Sequence, residues 1–290
     1  MDVIDDKEAF RRACDGVRLR GERLGVVPTM GALHAGHLRL VAGAAERADR
    51  VAVTLFVNPT QFGPNEDFAR YPRTLAQDLE RCAAAGVSLV FTPSVEQMYP
   101  PGERTRVRVD SLTEHLCGRS RPVHFEGVTT IVTKLLSLTG PCVAVFGRKD
   151  YQQLKVVQRL CADLLLPAEI VGLATVREPD GLALSSRNAY LSASDRARAL
   201  AIPRALSAAL VHAGTDGVTA GEIKRGVEQT LSQAGLRIDY ATVADPDLLQ
   251  PLAHDVPLPP RALVAVAAYL GDTRLIDNVV TSEDPPPIPS

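Results

Sequence analysis

The apolar residues in the first part of the chain fall into short continuous runs, separated by longer segments in which they recur every three or four positions. Continuous runs of this kind predict strands buried on both faces, and the periodic segments predict amphipathic helices. The runs span residues 23–29, 50–57, 87–91, 142–146 and 168–173, and the periodic segments span 37–49, 73–86, 127–140 and 150–164. This alternation predicts an α/β fold with a doubly wound parallel sheet, whose ligand crevice opens at the carboxyl ends of the strands.

The pattern changes after about residue 175. Two Ala-rich helical segments, 192–213 and 219–234, precede three short β-like runs at 237–243, 262–270 and 273–279. We therefore predict two domains. Residues 1–175 form a Rossmann-like domain, and residues 176–290 form a smaller α+β domain.

Charge and cysteine content narrow the classes of function. The 290 residues carry 32 Lys+Arg against 34 Asp+Glu, a formal net charge of -2, so the basic footprint of a nucleic-acid binder is missing. Charge runs are short and mixed, and no apolar run is long enough for a membrane span, so neither nucleic acid nor membrane is an expected partner. The N-terminal residues are charged where a signal peptide would be apolar. The five cysteines are dispersed, which predicts reduced thiols that pack in the core of a cytoplasmic protein: Cys14, Cys82, Cys117, Cys142 and Cys161.

The first segment with candidate chemistry is PTMGALHAGH, Pro28–His37, between a predicted strand and a predicted helix. Gly31 permits close approach of the backbone to a ligand, and His34 and His37 lie on one face of the first helical turn. Two imidazoles at a helix N-terminus suit a phosphate chain. Two other interpretations remain open: an exposed loop with incidental histidines, or a zinc site, although no Cys, Asp or Glu lies close by to complete one.

Three further segments follow predicted strands or the domain junction. Asn58 and Gln61 in FVNPTQFG have amides that suit the hydroxyl and carboxylate groups of a small substrate, although the same residues are typical of a turn. In FGRKDYQQL, residues 146–154, Lys149 can pair with phosphate and Asp150 can meet Mg²⁺, or they can serve only as a surface charge and a helix cap. In LALSSRN, residues 182–188, two hydroxyls and Arg187 suit a polyphosphate, or the segment is a polar linker.

The order and separation of these segments resemble the pantoate–β-alanine ligase family. The resemblance rests on G-x-L-H-x-G-H, N-P-x-Q-F, F-G-x-K-D-x-x-Q and S-S-R-N, and it extends to YPRT (71–74), HFEGV (124–128) and TRLIDN (273–278). The H-x-G-H element is also shared with the wider nucleotidyltransferase and class I synthetase superfamily.

The resemblance implies an activity that spacing alone does not reveal. Members of the family condense pantoate with β-alanine, use ATP with Mg²⁺, and release AMP and diphosphate through a pantoyl-adenylate. It further implies a homodimer, and a C-terminal domain that closes as a lid to shield the adenylate from water.

By matching position, the resemblance also assigns roles to residues. His37 takes the acid or charge-stabilising role, with His34 beside it, and Lys149 and Arg187 complete the catalytic set. Gln61 and Gln153 hold pantoate. Asn58 as a further substrate contact and Asp150 as the candidate Mg²⁺ ligand rest on their residue types and positions. The ATP-binding set is Met30, Gly31, Ala32, Leu33, His34, Ala35, Gly36, His37, Gly147, Arg148, Lys149, Asp150, Val176, Leu184, Ser185, Ser186 and Arg187.

Two positions depart from the family's usual pattern. Arg148 stands where Glu or Gln is more usual, and Glu126 stands where a basic residue is more usual.

Three rival functions would each require a different feature. A plain nucleotidyltransferase would need a cationic acceptor pocket in place of the Gln61 and Gln153 amides. A non-catalytic nucleotide-binding protein would be expected to lack a histidine or Lys149. A tRNA-charging synthetase would need a basic anticodon-binding extension.

Overall fold

The described residues form two compact units. A computed structural model describes residues 1–64 and 66–288. The first unit comprises Met1–Asp110, Arg121–Arg148 and Gln153–Leu173, and the second comprises Ser111–Ser120, Lys149–Gln152 and the residues from Ala174 onward. The boundary predicted at residues 175 and 176 lies beside the last crossing of the chain between units. Two segments that come earlier in the chain, 111–120 and 149–152, also belong to the second unit.

The strands and helices are numbered in chain order. The strands are β1 (Asp2–Ile4), β2 (Leu24–Thr29), β3 (Arg50–Leu55), β4 (Leu89–Phe91), β5 (Cys142–Gly147), β6 (Ala168–Leu173), β7 (Arg237–Ala244), β8 (Leu263–Leu270) and β9 (Thr273–Val280). The helices are α1 (Lys7–Leu19), α2 (Ala35–Ala45), α3 (Leu75–Ala84), α4 (Val95–Met98), α5 (Leu116–Ser120), α6 (His124–Thr139), α7 (Tyr151–Asp163), α8 (Ala193–Ala199), α9 (Ala201–Ala213) and α10 (Ala220–Gln233).

The first unit contains the predicted parallel sheet. Among the described residues its strand order is β1-β4-β3-β2-β5-β6, and each neighbouring pair is parallel. The apolar runs of β2, β3 and β5 are almost wholly buried, as expected for strands covered on both faces. The chain winds from β2 outward through β3 and β4, and then returns to β5 on the other side of β2. The switch point of the fold therefore lies between β2 and β5, where ligands bind in sheets of this class.

The first strand and the first helix were not predicted from the sequence. β1 has three residues and none of them is buried, so it carries no apolar run. α1 buries Phe10, Cys14 and Val17, a helical spacing that is hidden among charged residues. Its N-terminus is capped by Asp6, whose side chain accepts a hydrogen bond from the backbone N–H of Ala9 at 2.7 Å.

The second unit contains an antiparallel sheet in the order β7-β8-β9 among its described residues, packed with α9 and α10 around one apolar core. The predicted helix 192–213 is two helices, because α8 ends at Ala199 and α9 begins at Ala201. Pro203 supplies the physical reason. It has no N–H to donate to the carbonyl of Ala199, four residues earlier, so a continuous helix would lose that bond and meet the proline ring.

All five cysteines are buried and carry free thiols. Burial is the largest influence on four of them: it raises the pKa of Cys14 and Cys142 to about 12, and that of Cys82 and Cys161 to about 11. Only the thiolate reacts readily, and a raised pKa leaves almost none of it at neutral pH. We therefore expect no reaction of the folded protein with Ellman's reagent, and reaction of all the thiols in denaturant. Rapid modification before unfolding would contradict this burial.

Within the part of the chain that the structure describes, no helix is both long and apolar enough to cross a membrane.

Candidate active site

The loop between β2 and α2 has an unusual backbone that a buried carboxylate holds in place. Gly31 and Ala32 both have positive φ angles, 82° and 50°. Asp78, on α3 and 2% exposed, accepts hydrogen bonds from the backbone N–H groups of Ala32 at 2.9 Å and Leu33 at 2.8 Å. The hydroxyl of Thr74 also donates to Asp78, at 3.0 Å. The strained conformation of Ala32 therefore persists because the surrounding contacts determine it.

The two histidines form the start of α2 itself. His34 is the N-cap, and its Nδ1 accepts a hydrogen bond from the backbone N–H of Gly36 at 3.1 Å. His37 is three residues on, and its Nδ1 accepts from the backbone N–H of His34 at 3.3 Å, which completes a capping box. The two ring centroids are 4.1 Å apart. Because each Nδ1 is an acceptor, each neutral ring carries its proton on Nε2. Both imidazoles therefore have Nε2–H as their donor.

The amide of Gln61 is oriented by Asn58. The Nδ2 of Asn58 donates to the Oε1 of Gln61 at 3.1 Å and to the backbone carbonyl of Gly127 at 3.1 Å, while its Oδ1 accepts from the hydroxyl of Tyr99 at 2.8 Å. The Nε2 of Gln61 then donates toward the sulfur of Met30. Asn58 is 1% exposed and uses both amide groups within the protein. The direct contact of Asn58 with the substrate stays a prediction; in the structure its amide contacts Gln61, the backbone of Gly127 and the hydroxyl of Tyr99.

Helix α6 packs closely against the turn that carries Gln61. A Cβ atom on Gly127 would lie 2.3 Å from the backbone oxygen of Thr60, so only glycine permits this approach. His124 donates from Nδ1 to the backbone carbonyl of Gln61 at 2.9 Å, and Arg121 donates to the same oxygen at 3.2 Å. The HFEGV segment therefore supports the turn of Gln61 through His124 and Gly127.

The residues that follow β5 are divided between the units. Gly147 ends β5 at the switch point, and Arg148 follows it, half-buried, in the first unit. Gln153 is also half-buried, and its amide makes no hydrogen bond to the residues that the structure describes. By contrast, Gln152 in the second unit is buried and hydrogen-bonded to the backbone of the 112–117 segment. Gln153 is accordingly the glutamine of this pair whose amide the fold leaves available.

The second unit contains the other predicted ATP contacts. The Nζ of Lys149 lies 3.9 Å from a carboxylate oxygen of Asp150. Val176 and Leu184 face each other across a tight turn, with the N–H of Leu184 donating to the carbonyl of Val176 at 3.0 Å. Ser185 then caps a short 3₁₀ helix, Ser186–Tyr190, by accepting from the N–H of Arg187 at 3.2 Å. The S-S-R segment is thus an ordered helical turn.

The structure brings together, within the first unit, the predicted residues around Met30, Gln61 and the histidine pair. A cavity of about 550 Å³ in the second unit contains none of the predicted site residues; it lies beside β7 and α10. Among the described residues, no three His, Cys, Asp or Glu side chains come together as a metal site.

Three residues that support the site were not predicted from the sequence: Asp78, Tyr99 and Gly127. The hydrogen bonds through which they hold the loop and Asn58 join residues 41 to 69 positions apart. No local pattern in the chain marks contacts of that range. Gly127 alone carried a signal, because it lies in the HFEGV motif.

A parallel sheet with an H-x-G-H helix start at its switch point defines an α/β protein of the nucleotidyltransferase type. Comparison with known proteins narrows this class. The family model described as pantoate-beta-alanine ligase matches residues 2–280, and the chain belongs to that family. It is an ATP-dependent ligase that condenses pantoate with β-alanine through a pantoyl-adenylate.

Relatives and solved structures agree with this assignment. The chain is 50% identical over 286 residues to a pantothenate synthetase of Moorella thermoacetica, covering 97% of this chain and 98% of that protein. It is 53% identical over 267 residues to one of Myxococcus xanthus, covering 91% and 90%. The crystal structure of a pantothenate synthetase from Thermus thermophilus aligns over 100% of both chains, with a TM-score of 0.90 and 44% identity. A pantoate-beta-alanine ligase from Francisella tularensis, complexed with beta-gamma ATP and beta-alanine, aligns over 99% of both chains with a TM-score of 0.79 and 34% identity.

Proposed function

We propose that the oriented amide of Gln61 selects pantoate and that the histidine pair stabilises the charge that develops during adenylation. One observation carries this proposal. Asn58 fixes the Gln61 amide so that its Nε2–H group extends toward Met30, in the loop that leads into the histidine pair. A neutral donor can bind a carboxylate without adding a charge of its own. The Gln61 amide, which would bind pantoate, and the two histidines of the H-x-G-H element are therefore connected through the loop between β2 and α2.

In the first step, a carboxylate oxygen of pantoate attacks the α-phosphorus of ATP, and the bond from that phosphorus to the bridging oxygen breaks, so that diphosphate leaves. Catalysis of such displacements is mostly positioning and neutralisation of charge on phosphate oxygens. In our proposal His37 donates from Nε2 to the reacting phosphate, with His34 beside it. The N-terminus of α2 adds its own partial positive charge.

In the second step, the neutral amine of β-alanine attacks the acyl carbon of the pantoyl-adenylate. The C–O bond to AMP breaks, and the amine loses a proton as the amide forms. We assign Gln61 to the border between the pantoate and β-alanine positions, and Gln153 to pantoate. β-alanine is one of the ligands in the related Francisella tularensis structure, which supports an amine acceptor of this kind.

The proposed ATP-binding residues are Gly147, Arg148, Lys149, Asp150, Val176, the segment Met30–His37 and the segment Leu184–Arg187. Lys149 and Arg187 would meet the phosphates as an ammonium point charge and a guanidinium fork. The beta-gamma ATP of the Francisella tularensis structure supports a nucleotide site in this fold.

The residues present also fit Mg²⁺, which we propose as the cofactor. Mg²⁺ usually keeps several waters and binds through one or two carboxylates together with substrate phosphates. Asp150 offers one such carboxylate, half exposed and close to Lys149. Bound Mg²⁺ would neutralise part of the triphosphate charge.

Mass spectrometry of the products tests the two half-reactions. The enzyme is incubated with ATP, Mg²⁺ and pantoate, with and without β-alanine. We expect pantothenate and AMP only when β-alanine is present, and enzyme-bound pantoyl-adenylate when it is omitted. Absence of every product under both conditions, from folded enzyme, would contradict the proposed catalytic roles.

Two substitutions at Gln61 test its role. Gln61→Ala removes the donor and is expected to raise the KM for pantoate about tenfold while leaving the KM for ATP nearly unchanged, as expected for loss of one hydrogen bond to a charged group. Gln61→Glu keeps the shape but places a negative oxygen where the donor was, so pantoate should bind more weakly still. Steady-state kinetics with each substrate varied in turn measures both. Equal loss for pantoate and ATP would contradict the assignment.

We also propose that the enzyme is a homodimer, which the family resemblance suggests. Light scattering coupled to size-exclusion chromatography measures this directly. A mass corresponding to one chain across the accessible concentration range would contradict it.

We propose a cytoplasmic location on chemical grounds. The five cysteines are free thiols, which is usual for proteins of a reducing compartment, and the reaction consumes ATP. Fractionation of the native host with a specific antibody tests this, and recovery outside the cytoplasmic fraction would contradict it.

A further inference from the structure

Two neighbouring residues of β9 hold both of the second unit's proposed ATP-contacting segments. Asp277 forms a two-pronged ion pair with Arg177, with distances of 2.6 Å from Nη1 to Oδ2 and 3.0 Å from Nη2 to Oδ1. Asn278 donates from Nδ2 to the backbone carbonyl of Lys149 at 2.7 Å. The two are also tied together, since the N–H of Asn278 donates to Oδ1 of Asp277 at 2.8 Å. Two adjacent positions of one strand thus connect two segments that are distant in sequence.

The Asp277 branch leads to the S-S-R segment. The guanidinium of Arg177 that binds Asp277 also donates to the carbonyl of Gly181 at 3.0 Å. Arg177 and Gly181 lie on opposite sides of one turn. The hydrogen bond between Val176 and Leu184 closes this turn, and Ser185 follows directly. Asp277 therefore fixes the turn from which the Ser185–Arg187 helical turn starts.

The Asn278 branch leads to Lys149. Successive side chains of a strand project to opposite faces, so Asn278 points away from the face on which Asp277 lies. Its amide fixes the carbonyl of Lys149, and this sets where the backbone places the Lys149 side chain. Lys149 and Asp150 belong to a three-residue 3₁₀ turn just before α7, too short to hold its own position by internal hydrogen bonds.

The burial of Asp277 argues against a role in stability alone. Its side chain is 1% exposed and lies on the same face of β9 as Leu275 and Val279, which belong to the apolar core of this unit. Desolvation of a buried ion pair costs much of what the pair contributes, and apolar replacements are often neutral or stabilising. An apolar residue at position 277 could pack in the core equally well. Only the carboxylate of Asp277, with its two hydrogen bonds to the Arg177 guanidinium, fixes the turn in one geometry.

We propose that Asp277 and Asn278 are positioning residues that hold Lys149 and the Ser185–Arg187 segment in the geometry required for adenylate formation. This inference rests on the proposed ATP contacts of those segments. Neither residue needs to touch ATP, pantoate or β-alanine.

The test compares the two half-reactions in Asn278→Ala. We expect the rate of diphosphate release with ATP and pantoate, at subsaturating ATP, to fall about tenfold, the effect of one lost hydrogen bond in a well-fixed network. Purified enzyme loaded with pantoyl-adenylate should transfer the acyl group to β-alanine at a rate within about twofold of the wild type, since this step needs no triphosphate contact. Equal slowing of both half-reactions would overturn the proposal.

A double-mutant cycle separates this inference from the proposed role of Lys149. Lys149→Ala should itself slow diphosphate release, and adding Asn278→Ala to it should change the rate by less than about twofold, because Asn278 acts through Lys149. If Lys149→Ala is fully active, the proposed ATP role of Lys149 fails and this inference with it. If Lys149→Ala is impaired and Asn278→Ala is not, only the inference fails.

The matched control is Thr281→Val. Its hydroxyl also makes buried hydrogen bonds just beyond the end of β9, accepting from the N–H of Ala262 at 2.8 Å and donating to the carbonyl of Pro260 at 2.9 Å. This variant should lose stability but keep its diphosphate-release rate.

Arg177→Lys tests the contact between Asp277 and Arg177. It keeps the positive charge but loses the two-pronged hydrogen bonding of the guanidinium, so it should raise the KM for ATP without unfolding. An unchanged KM for ATP in folded Arg177→Lys would overturn the Asp277 branch.

Discussion

Replacement of His37 by alanine is expected to slow adenylate formation by about 10²- to 10³-fold, the usual effect of removing one preorganised donor from a developing charge. In the neutral ring of His37 the donor is Nε2–H, because Nδ1 accepts the capping-box hydrogen bond from the backbone N–H of His34. Diphosphate release in a single turnover with ATP and pantoate measures this step directly. Near-normal release would remove His37 from the mechanism.

The capping role of His37 requires its own control. In His37→Asn the amide oxygen can take the place of Nδ1 and keep the hydrogen bond from the backbone N–H of His34, while the Nε2 donor is lost. We expect His37→Asn to melt close to the wild type and to be as slow as His37→Ala. His212→Ala, at an exposed histidine in the last turn of α9, should be fully active. Recovery of activity in His37→Asn would mean that the ring serves only to start α2.

Replacement of Asp78 by alanine is expected to lower the free energy of unfolding by about 3 kcal/mol and to impair ATP-dependent activity in the protein that remains folded. The substitution leaves the backbone N–H groups of Ala32 and Leu33 without their acceptor in a buried place, and unsatisfied buried donors are costly. It also frees Ala32 from its positive φ angle. Urea unfolding measures the first effect, and the KM for ATP well below the melting temperature measures the second.

Asp163 provides the comparison for Asp78. Its carboxylate forms an exposed ion pair with Arg159 on α7, and such pairs contribute little. Asp163→Ala should therefore change the free energy of unfolding by less than about 0.5 kcal/mol and leave activity unaltered. If Asp78→Ala is destabilised but binds ATP with normal KM, Asp78 supports the core alone and the conformation of the loop does not depend on it.

The fold was predictable where sequence patterns are local. The runs that became β2, β3, β5 and β6 are apolar throughout or nearly so, and the first three of these strands are covered on both faces. β1 was missed because three residues without a buried position carry no such signal. The break at Leu200 was readable in principle, since Pro203 lies four residues after Ala199 and forbids the bond that would continue the helix.

The site was predictable only where its residues stand together in the sequence. His34 and His37 share a helical turn, and their spacing alone places them on one face. Asp78 supports the loop from 45 and 46 positions away, and within α3 it is one more polar residue of an amphipathic helix. The hydrogen bonds of Asn58 could not be predicted for the same reason, because its partners Tyr99 and Gly127 come from segments brought close only by folding.

The burial of the five thiols has a practical consequence for the study of this enzyme. Because the native cysteines are shielded, a fluorophore directed at thiols should attach only to cysteines introduced on the surface. Arg12 in the first unit and Asp216 in the second are both exposed and lie outside the proposed site, so they are suitable attachment points. Energy transfer between two such labels would report the separation of the units in solution, without ligands and through each half-reaction, with no native cysteine removed.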